Sequence, residues 1–256
     1  DSPYQILCAT HSPLMIDVSR PHASLVRAIK VAGEETETFQ VGEDVFNKDE
    51  ERKQYVQMIN RFNPHVCEAF YADKVILVEG DTEAIVYRAL LKKYYPEEEV
   101  FVLNTGSKNN IPFFQEILTA FHIEHYAIHD IDTEYNSNEK RNSAWILNQK
   151  IWDLVEEANR EQPGLARRYV HNANFENAHK YKLLNGANKP LQASKFVDKV
   201  IKGEIKDPDC KKWLDDIMGS KSVTHDMDYI NSVKKTSDEI KNEEETYISL
   251  EDDETK

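Results

Sequence analysis

Four carboxylates stand where a parallel sheet would gather them. Glu79 closes the apolar run KVILVEG (74–80), Glu83 follows four residues later, and Asp130 and Asp132 close HYAIHDID (125–132). Two residues apart on an extended segment, Asp130 and Asp132 are expected to project to one side. Glu83, in the first turn of a following helix, is expected to face back toward Glu79. Without partners such a cluster repels itself, and some of its members must hold protons. Divalent cations that prefer oxygen relieve the repulsion; Mg²⁺ takes a few carboxylates and keeps waters for a substrate phosphate. Two ions about 3.5–4 Å apart would activate a water and stabilise the leaving oxygen of a phosphodiester. The plainer alternative is that acids near strand ends and helix starts serve as caps and dipole partners.

These residues need a scaffold, and the sequence pattern supplies one. KVILVEG is apolar and β-branched, as in a strand buried on both faces. DTEAIVYRALLKKYY (81–95) follows as an amphipathic helix, capped by Asp81 or Thr82 and stopped by Pro96. VFVLNTG (100–106) reads as a strand, IPFFQEILTAFH (111–122) as a helix with Pro112 in its first turn, and 125–132 as a strand. This alternation predicts an α/β fold with a mainly parallel sheet flanked by helices and right-handed crossovers. A helix is expected at 144–159, and a further strand at 167–176 on the same sheet edge. The region to about 220 reads as helical and Lys-rich. Upstream, 4–10 reads as a buried strand, 24–31 and 37–41 as a hairpin around Gly33, and 47–61 as helical.

Beside the carboxylates, Lys108 follows Gly106 and Ser107 at a strand end and could meet phosphate there; an ordinary surface turn competes evenly. Lys180, Lys182, Lys189, Lys195, Lys199 and Lys202, with Arg167 and Arg168, make 165–202 the most basic stretch. Phosphate contacts by Lys108, Arg167, Arg168 and Lys195 would position nucleic acid without reading its sequence; a solvated helix face is the alternative. His129 is expected in the core or behind the carboxylates, and Trp145, Trp152 and Trp213 are expected to pack helices.

The 256 residues carry 32 Lys and Arg against 46 Asp and Glu, a net charge of −14. Residues 226–256 hold eleven acids and four bases, half of that charge, and are expected to be disordered. The remainder is mildly acidic, which leaves a nucleic-acid substrate open, since binding depends on local patches and metal ions. Cys8, Cys67 and Cys210 form no CxxC pair, which argues against a zinc site or a disulfide framework and fits a reducing cytoplasm. No apolar stretch approaches the roughly 18–20 residues of a membrane span. The chain opens on Asp1 with nothing like a signal peptide, and it reads as a piece of something longer.

ADKVILVEGDTEAIVYRALL, the Gly-containing turn after it and HDID together resemble the Toprim domain of primases, topoisomerases and several nucleases. The form EGDTE, with its second Glu at 83, is most similar to the class 2 members of the OLD (overcoming lysogenization defect) family of ATP-dependent nucleases. ILCATHSPLMID at the start is similar to the last core strand and H-loop of an ABC-type ATPase, and NKPLQASKF (188–196) to the family's late Lys-Pro motif. The resemblance implies that Glu79, Glu83, Asp130 and Asp132 are catalytic and hold Mg²⁺ or Mn²⁺, two ions in all. It makes Lys189 the basic residue near the scissile phosphate, Glu176 a further acidic participant, and His11 the remnant of a nucleotide sensor. The chain has no GxxxxGK[ST], so ATP would act only through an ATPase half that this polypeptide lacks.

The domain organisation expected is an incomplete ATPase tail at 1–45, a helical linker at 46–72, and a Toprim domain at 73–142 and about 165–190. Helical regions at 143–164 and 191–225 are an insertion or an appended subdomain, and the acidic tail follows at 226–256. The function expected is a metal-dependent DNA endonuclease with little sequence preference, in a bacterial cytoplasm. Family analogy adds phage defence or DNA processing, a helicase partner and self-association. Two other readings compete: a non-catalytic Toprim-like regulatory or dimerising module, and a haloacid dehalogenase-type phosphatase suggested by Asp130-Ile131-Asp132-Thr133. Against the phosphatase, the motif comes late and Glu134 occupies its fifth position.

Overall fold

A computed structural model describes residues 6–16, 25–30, 33, 35–41, 64–136, 138–182 and 188–250, without the side chains of 64 and 65. The chain divides into two compact units, 1–72 and 73–256. In the first, β1 (Leu25–Lys30) and β2 (Thr36–Val41) pair antiparallel, with Leu25 opposite Val41 and Lys30 opposite Thr36. Gly33 between them has φ +87°, a left-handed conformation that glycine adopts without a steric cost. The strand expected at 4–10 is absent over its described part: residues 6–10 form no strand, and Ile6 and Leu7 are 86% and 90% exposed. An apolar run becomes a strand only where neighbours satisfy its backbone groups, and among the described residues none pairs with it. The helix expected at 47–61 lies outside the described residues; Pro64–Tyr71, at the end of the expected linker, is a 3-10 helix.

The second unit is built on four parallel strands: β3 (Lys74–Val78), β4 (Val100–Asn104), β5 (Glu124–Asp130) and β6 (Ala166–His171), in the order β4-β3-β5-β6. Their connections are α1 (Asp81–Tyr94), α2 (Ile111–Ala120) and α3 (Ser143–Glu161). Because β3 leads outward to β4 while β4 leads back past β3 to β5, right-handed crossovers put α1 on one face and α2 and α3 on the other. Side-chain alternation serves both layers. Ile76, Val78, Tyr126, Ile128 and Tyr169 pack under α1, and the same core takes in α5 (Lys189–Ile201) and α6 (Asp209–Met218). The two strands whose crossovers diverge, β3 and β5, are neighbours. The crevice at their carboxyl ends is the usual ligand position of an open α/β sheet, and Glu79 and Asp130 stand there.

Past β6, a short helix α4 (Phe175–His179) precedes α5. The chain then covers the outer edge of β6: the Arg168 amide donates to Thr224 Oγ1 (3.0 Å), the His225 amide to the Arg168 carbonyl (2.8 Å), and the Val170 amide to His225 Nδ1 (3.1 Å). Covering satisfies a row of backbone groups that would otherwise invite association.

The acidic segment expected to be disordered is folded as far as Leu250. It forms α7 (Met227–Val233) and α8 (Ser237–Glu244), the latter opened by a reciprocal capping box between Thr236 and Glu239. Ile230 packs with Ile131, Trp145 and Val170, and Leu250 enters the main core. The Ile248 and Lys182 amides exchange hydrogen bonds with the Lys180 and Ile248 carbonyls, both 2.9 Å. The acids face outward while three or four well-spaced apolar residues anchor the chain, so average composition misleads here. Leu250→Ala should therefore lower the unfolding free energy by about 2–4 kcal/mol, read as a urea-midpoint shift; a disordered tail would give none.

Candidate metal centre

β3 ends at Val78, and the next residue, Glu79, turns its carboxylate across to β5: its Oε1 accepts the Asp130 amide at 2.7 Å. That bond ties the first acid to the backbone of the second. Gly80 is the N-cap of α1, and it offers the helix no side-chain cap, in contrast to the cap expected of Asp81 or Thr82. Glu83, three residues on, is only 6% exposed, and hydrogen bonds from the backbone at Gly80 and at Glu83 itself favour its charged form. Glu83 is thus a helix-end residue of the capping-box kind and also a wall of the cleft. The cap and cluster readings of this residue both hold.

The cleft has a volume of about 520 Å³. Glu79, Glu83, Asp130, Glu176 and Lys189 line it, with the Gly106–Asn109 turn and the start of α3 opposite. Glu176 lies in the first turn of α4, where Asn174 caps the helix by accepting the Asn177 amide at 2.8 Å. Lys189 opens α5 behind the Asn188 cap, and its ammonium is 3.5 Å from Glu176 while 63% of the side chain is exposed. An acid and a base expected from separate stretches of sequence therefore meet on one wall.

Asp132 departs from expectation. β5 ends at Asp130, and Asp132 has φ +62°, so strand alternation no longer governs where it points. Its amide is held by the Ala173 carbonyl (2.8 Å), and its carboxylate pairs with Lys108 Nζ at 2.7 Å. Asp132 is adjacent to the cleft but does not line it. Lys108 is likewise no surface lysine: it is 4% exposed and also donates to the Asp130 carbonyl. It is an internal counter-ion of the acidic cluster, engaged on both sides.

Arg167 and Arg168 are also misplaced for the phosphate contacts expected of them. Arg168 is fully buried, donating to the His225 and Asn148 carbonyls (both 2.6 Å) with its guanidinium 4.9 Å from the centre of the Trp152 ring. Burial pushes its pKa down to about 9. Arg167 pairs with Glu124 (3.7 Å) at the amino end of the sheet and donates to the Lys221 carbonyl. Both lie on β6 short of its carboxyl end, which the sequence could not reveal before the strand's direction was fixed. Lys195 is half-buried on α5, and His11 is exposed in the first unit.

Two histidines flank the acids. His129 is buried, with Nδ1 2.9 Å from the Asp130 carbonyl, as expected of a residue behind the cluster. His171, which sequence reasoning passed over, is fully buried at the end of β6 in register with Asp130. Its Nδ1 lies 3.3 Å from Asp130 Oδ1 without hydrogen-bond alignment, so Asp130 Oδ1 and both ring nitrogens lack hydrogen-bond partners among the described residues. Glu83, Asp130 and His171 bring one ligand atom each within 4.8 Å of one another. A His at the end of an edge strand, opposite the first Asp of a DxD, was the one signal that could have found it.

The electrostatics mark the cluster as short of positive charge. Burial pushes Glu79 up to about 7 against the pull of Lys108 and the Asp130 amide. Burial also raises Glu83, with Glu176 adding to it, and lifts Asp130 well above its ordinary range, with Glu79, Glu83, Asp132 and Glu176 adding to it. A divalent ion supplies what these groups lack, and the buried unpartnered atoms of Asp130 and His171 fit one. Without metal, the raised Glu79 contributes stability that is present below its unfolded value of about 4.3 and lost as pH rises through about 7. Buried His125, His179 and His225, each pushed down to about 4, act oppositely: their contribution is present above about 6.5 and lost as pH falls toward 4. In EDTA, the melting temperature should peak near about pH 6 and decline on both sides. Glu79→Gln should flatten the alkaline limb; an unchanged limb in that variant would contradict the assignment.

Residues 70–132, from the end of the first unit through Asp132, match the family model of the overcoming lysogenization defect protein-like TOPRIM domain. Among solved structures, the C-terminal region of the Burkholderia pseudomallei OLD protein aligns at 17% identity with a TM-score of 0.32, covering 58% of this chain and 82% of that one. No curated protein matches the chain. The family model spans Glu79, Glu83, Asp130 and Asp132, the acids that the fold gathers around the β3–β5 crevice. Over residues 70–132, the chain is therefore similar to an OLD-like Toprim domain.

Proposed function

We propose that this region is a metal-dependent DNA endonuclease that cuts phosphodiester bonds with little regard for sequence. The observation that carries the reading is the convergence of Glu79, Glu83, Asp130 and Glu176 with Lys189 in one cleft at the carboxyl ends of β3 and β5. Glu79, Glu83 and Asp130 would hold divalent ions, Mg²⁺ or Mn²⁺, with Glu176 and Asp132 beside them. When bound, such ions activate a water for in-line attack and stabilise the leaving oxygen. The protein's own part is positional and electrostatic. The Asp130 amide fixes Glu79, the backbone at the start of α1 fixes Glu83, and Lys108 holds the β5 end in place against the repulsion of the acids. Lys189, largely exposed and only loosely held by Glu176, is free to move onto a phosphate oxygen and neutralise charge that develops in the transition state.

DNA is the partner this reading names, with contacts to its backbone from Lys189 and Lys195 on α5. The exposed Ile6 and Leu7 support the further proposal that residues 1–45 end a larger ATP-binding domain in which His11 has its role.

A second reading has its own support. Asp132 is neutralised by Lys108 and Glu83 is held at the helix start, as expected of a non-catalytic module whose acids are structural. Supercoiled plasmid incubated with the chain in Mg²⁺, Mn²⁺ or EDTA, beside Glu79→Ala, separates the two. Nicking that needs metal and vanishes in the variant is expected; nicking equal in native and variant protein would overturn the assignment of the centre.

A further inference from the structure

The carboxylates of the cleft are all-oxygen ligands, yet a buried nitrogen ligand stands beside them. His171 is wholly buried, and neither ring nitrogen has a hydrogen-bond partner among the described residues. Its ring is wedged by Phe175 (4.9 Å between centroids), Trp213 (4.8 Å) and His179 (5.5 Å). His171 is paired in register with Asp130, and its Nδ1 lies 3.3 Å from Asp130 Oδ1. An imidazole that served only packing could be replaced by an apolar ring, without stranding two polar atoms in the core.

The spacing points to a ligand. Two atoms bound to one ion at about 2.1 Å, and separated by an angle between octahedral and tetrahedral, lie about 3.0–3.4 Å apart. His171 Nδ1 and Asp130 Oδ1 are 3.3 Å apart and not hydrogen-bonded to each other. Glu83 completes the group, with the three ligand atoms within 4.8 Å. We propose that His171 is a nitrogen ligand of the inner metal position, with Asp130 and Glu83, and that this nitrogen makes the position prefer a first-row transition ion such as Mn²⁺ over Mg²⁺. Imidazole adds affinity for Mn²⁺ and the ions after it, whereas Mg²⁺ gains little from exchanging an oxygen ligand for nitrogen. The aromatic wedge fixes the ring's orientation, which favours binding because no rotamer freedom is lost on coordination. The inference rests on the metal-dependent reading above and adds to it the identity of one ligand and the ion it selects.

The test needs no substrate. Mn²⁺ alone is added to the full chain, and pulsed electron paramagnetic resonance looks for ¹⁴N modulation from a coordinated imidazole. Calorimetry then compares Mn²⁺ and Mg²⁺ binding in native protein and His171→Gln. Expected are nitrogen modulation in the native protein, its loss in His171→Gln, Mn²⁺ binding weaker by about tenfold or more, and Mg²⁺ binding changed by less than about threefold. Bound Mn²⁺ without nitrogen modulation, or modulation that survives in His171→Gln, would overturn the histidine ligand and leave the carboxylate centre standing. Absence of any Mn²⁺ binding would overturn both. The native spectrum decides the nitrogen question even if the variant fails to fold.

Discussion

Asp130→Asn is expected to lower metal-dependent plasmid nicking by about a hundredfold or more, while leaving the melting temperature in EDTA at about pH 8 no lower than that of the native protein. The two halves of this result have one cause. Asp130 sits at the switch point of the sheet, with one carboxylate oxygen unpartnered and its pKa driven well up by burial and by four neighbouring acids. In the absence of metal that carboxylate is a burden on the fold, because its charged form adds repulsion to a site already short of cations. The amide keeps the shape and removes the charge. With metal present the same charge is what binds, so the substitution should separate function from stability. A large fall in EDTA melting temperature would mean that the carboxylate supports the fold directly, which the geometry does not predict.

Lys108→Met should do the reverse. Its ammonium is buried and donates to the Asp130 carbonyl and the Asp132 carboxylate, and its charge lowers the pKa of Glu79. Removing it leaves the acidic cluster without its internal cation and leaves the Asp132 carboxylate without its partner. With Lys108 buried and Asp132 partly open to solvent, breaking the pair costs about 1–3 kcal/mol, read as a fall in the urea midpoint in EDTA. Saturating Mn²⁺ should recover part of the loss, since a cation bound to Glu79, Glu83 or Asp130 offsets the same repulsion. A variant as stable as native protein would show that Lys108 is a bystander.

Much of this was legible in the chain itself. The strands β3, β4 and β5 and the helices between them announce themselves by apolar β-branched runs, helical periodicity, and the punctuation of Gly80, Pro96 and Pro112. Glu79, Glu83 and Asp130 follow because the carboxyl ends of such strands are where a parallel sheet presents chemistry. Asp132 stands beside the cleft and not in its lining because alternation assumes the strand continues, and the backbone turns left-handed two residues after Asp130. Lys108, Arg167 and Arg168 were read as phosphate contacts because a basic residue in sequence carries no sign of its burial. Each instead satisfies carbonyls or an acid that become neighbours only once the sheet is assembled. His171 escaped notice for the same reason, since its value depends on the register between β5 and β6. The C-terminal segment misled through its average: the acids dominate composition, but Ile230, Tyr247 and Leu250 are buried and decide the fold.

The central claim is that the acids at the β3–β5 crevice form a divalent-metal centre. Calorimetric titration of the full chain with Mn²⁺ at about pH 7, repeated in buffers of different ionisation enthalpy, tests it most directly. Saturable binding with net proton release is predicted, because Glu79, pushed up to about 7, must lose its proton to bind; binding should be weakened at least about tenfold in Asp130→Asn. No heat of binding, or binding indifferent to both buffer and Asp130→Asn, would contradict the account.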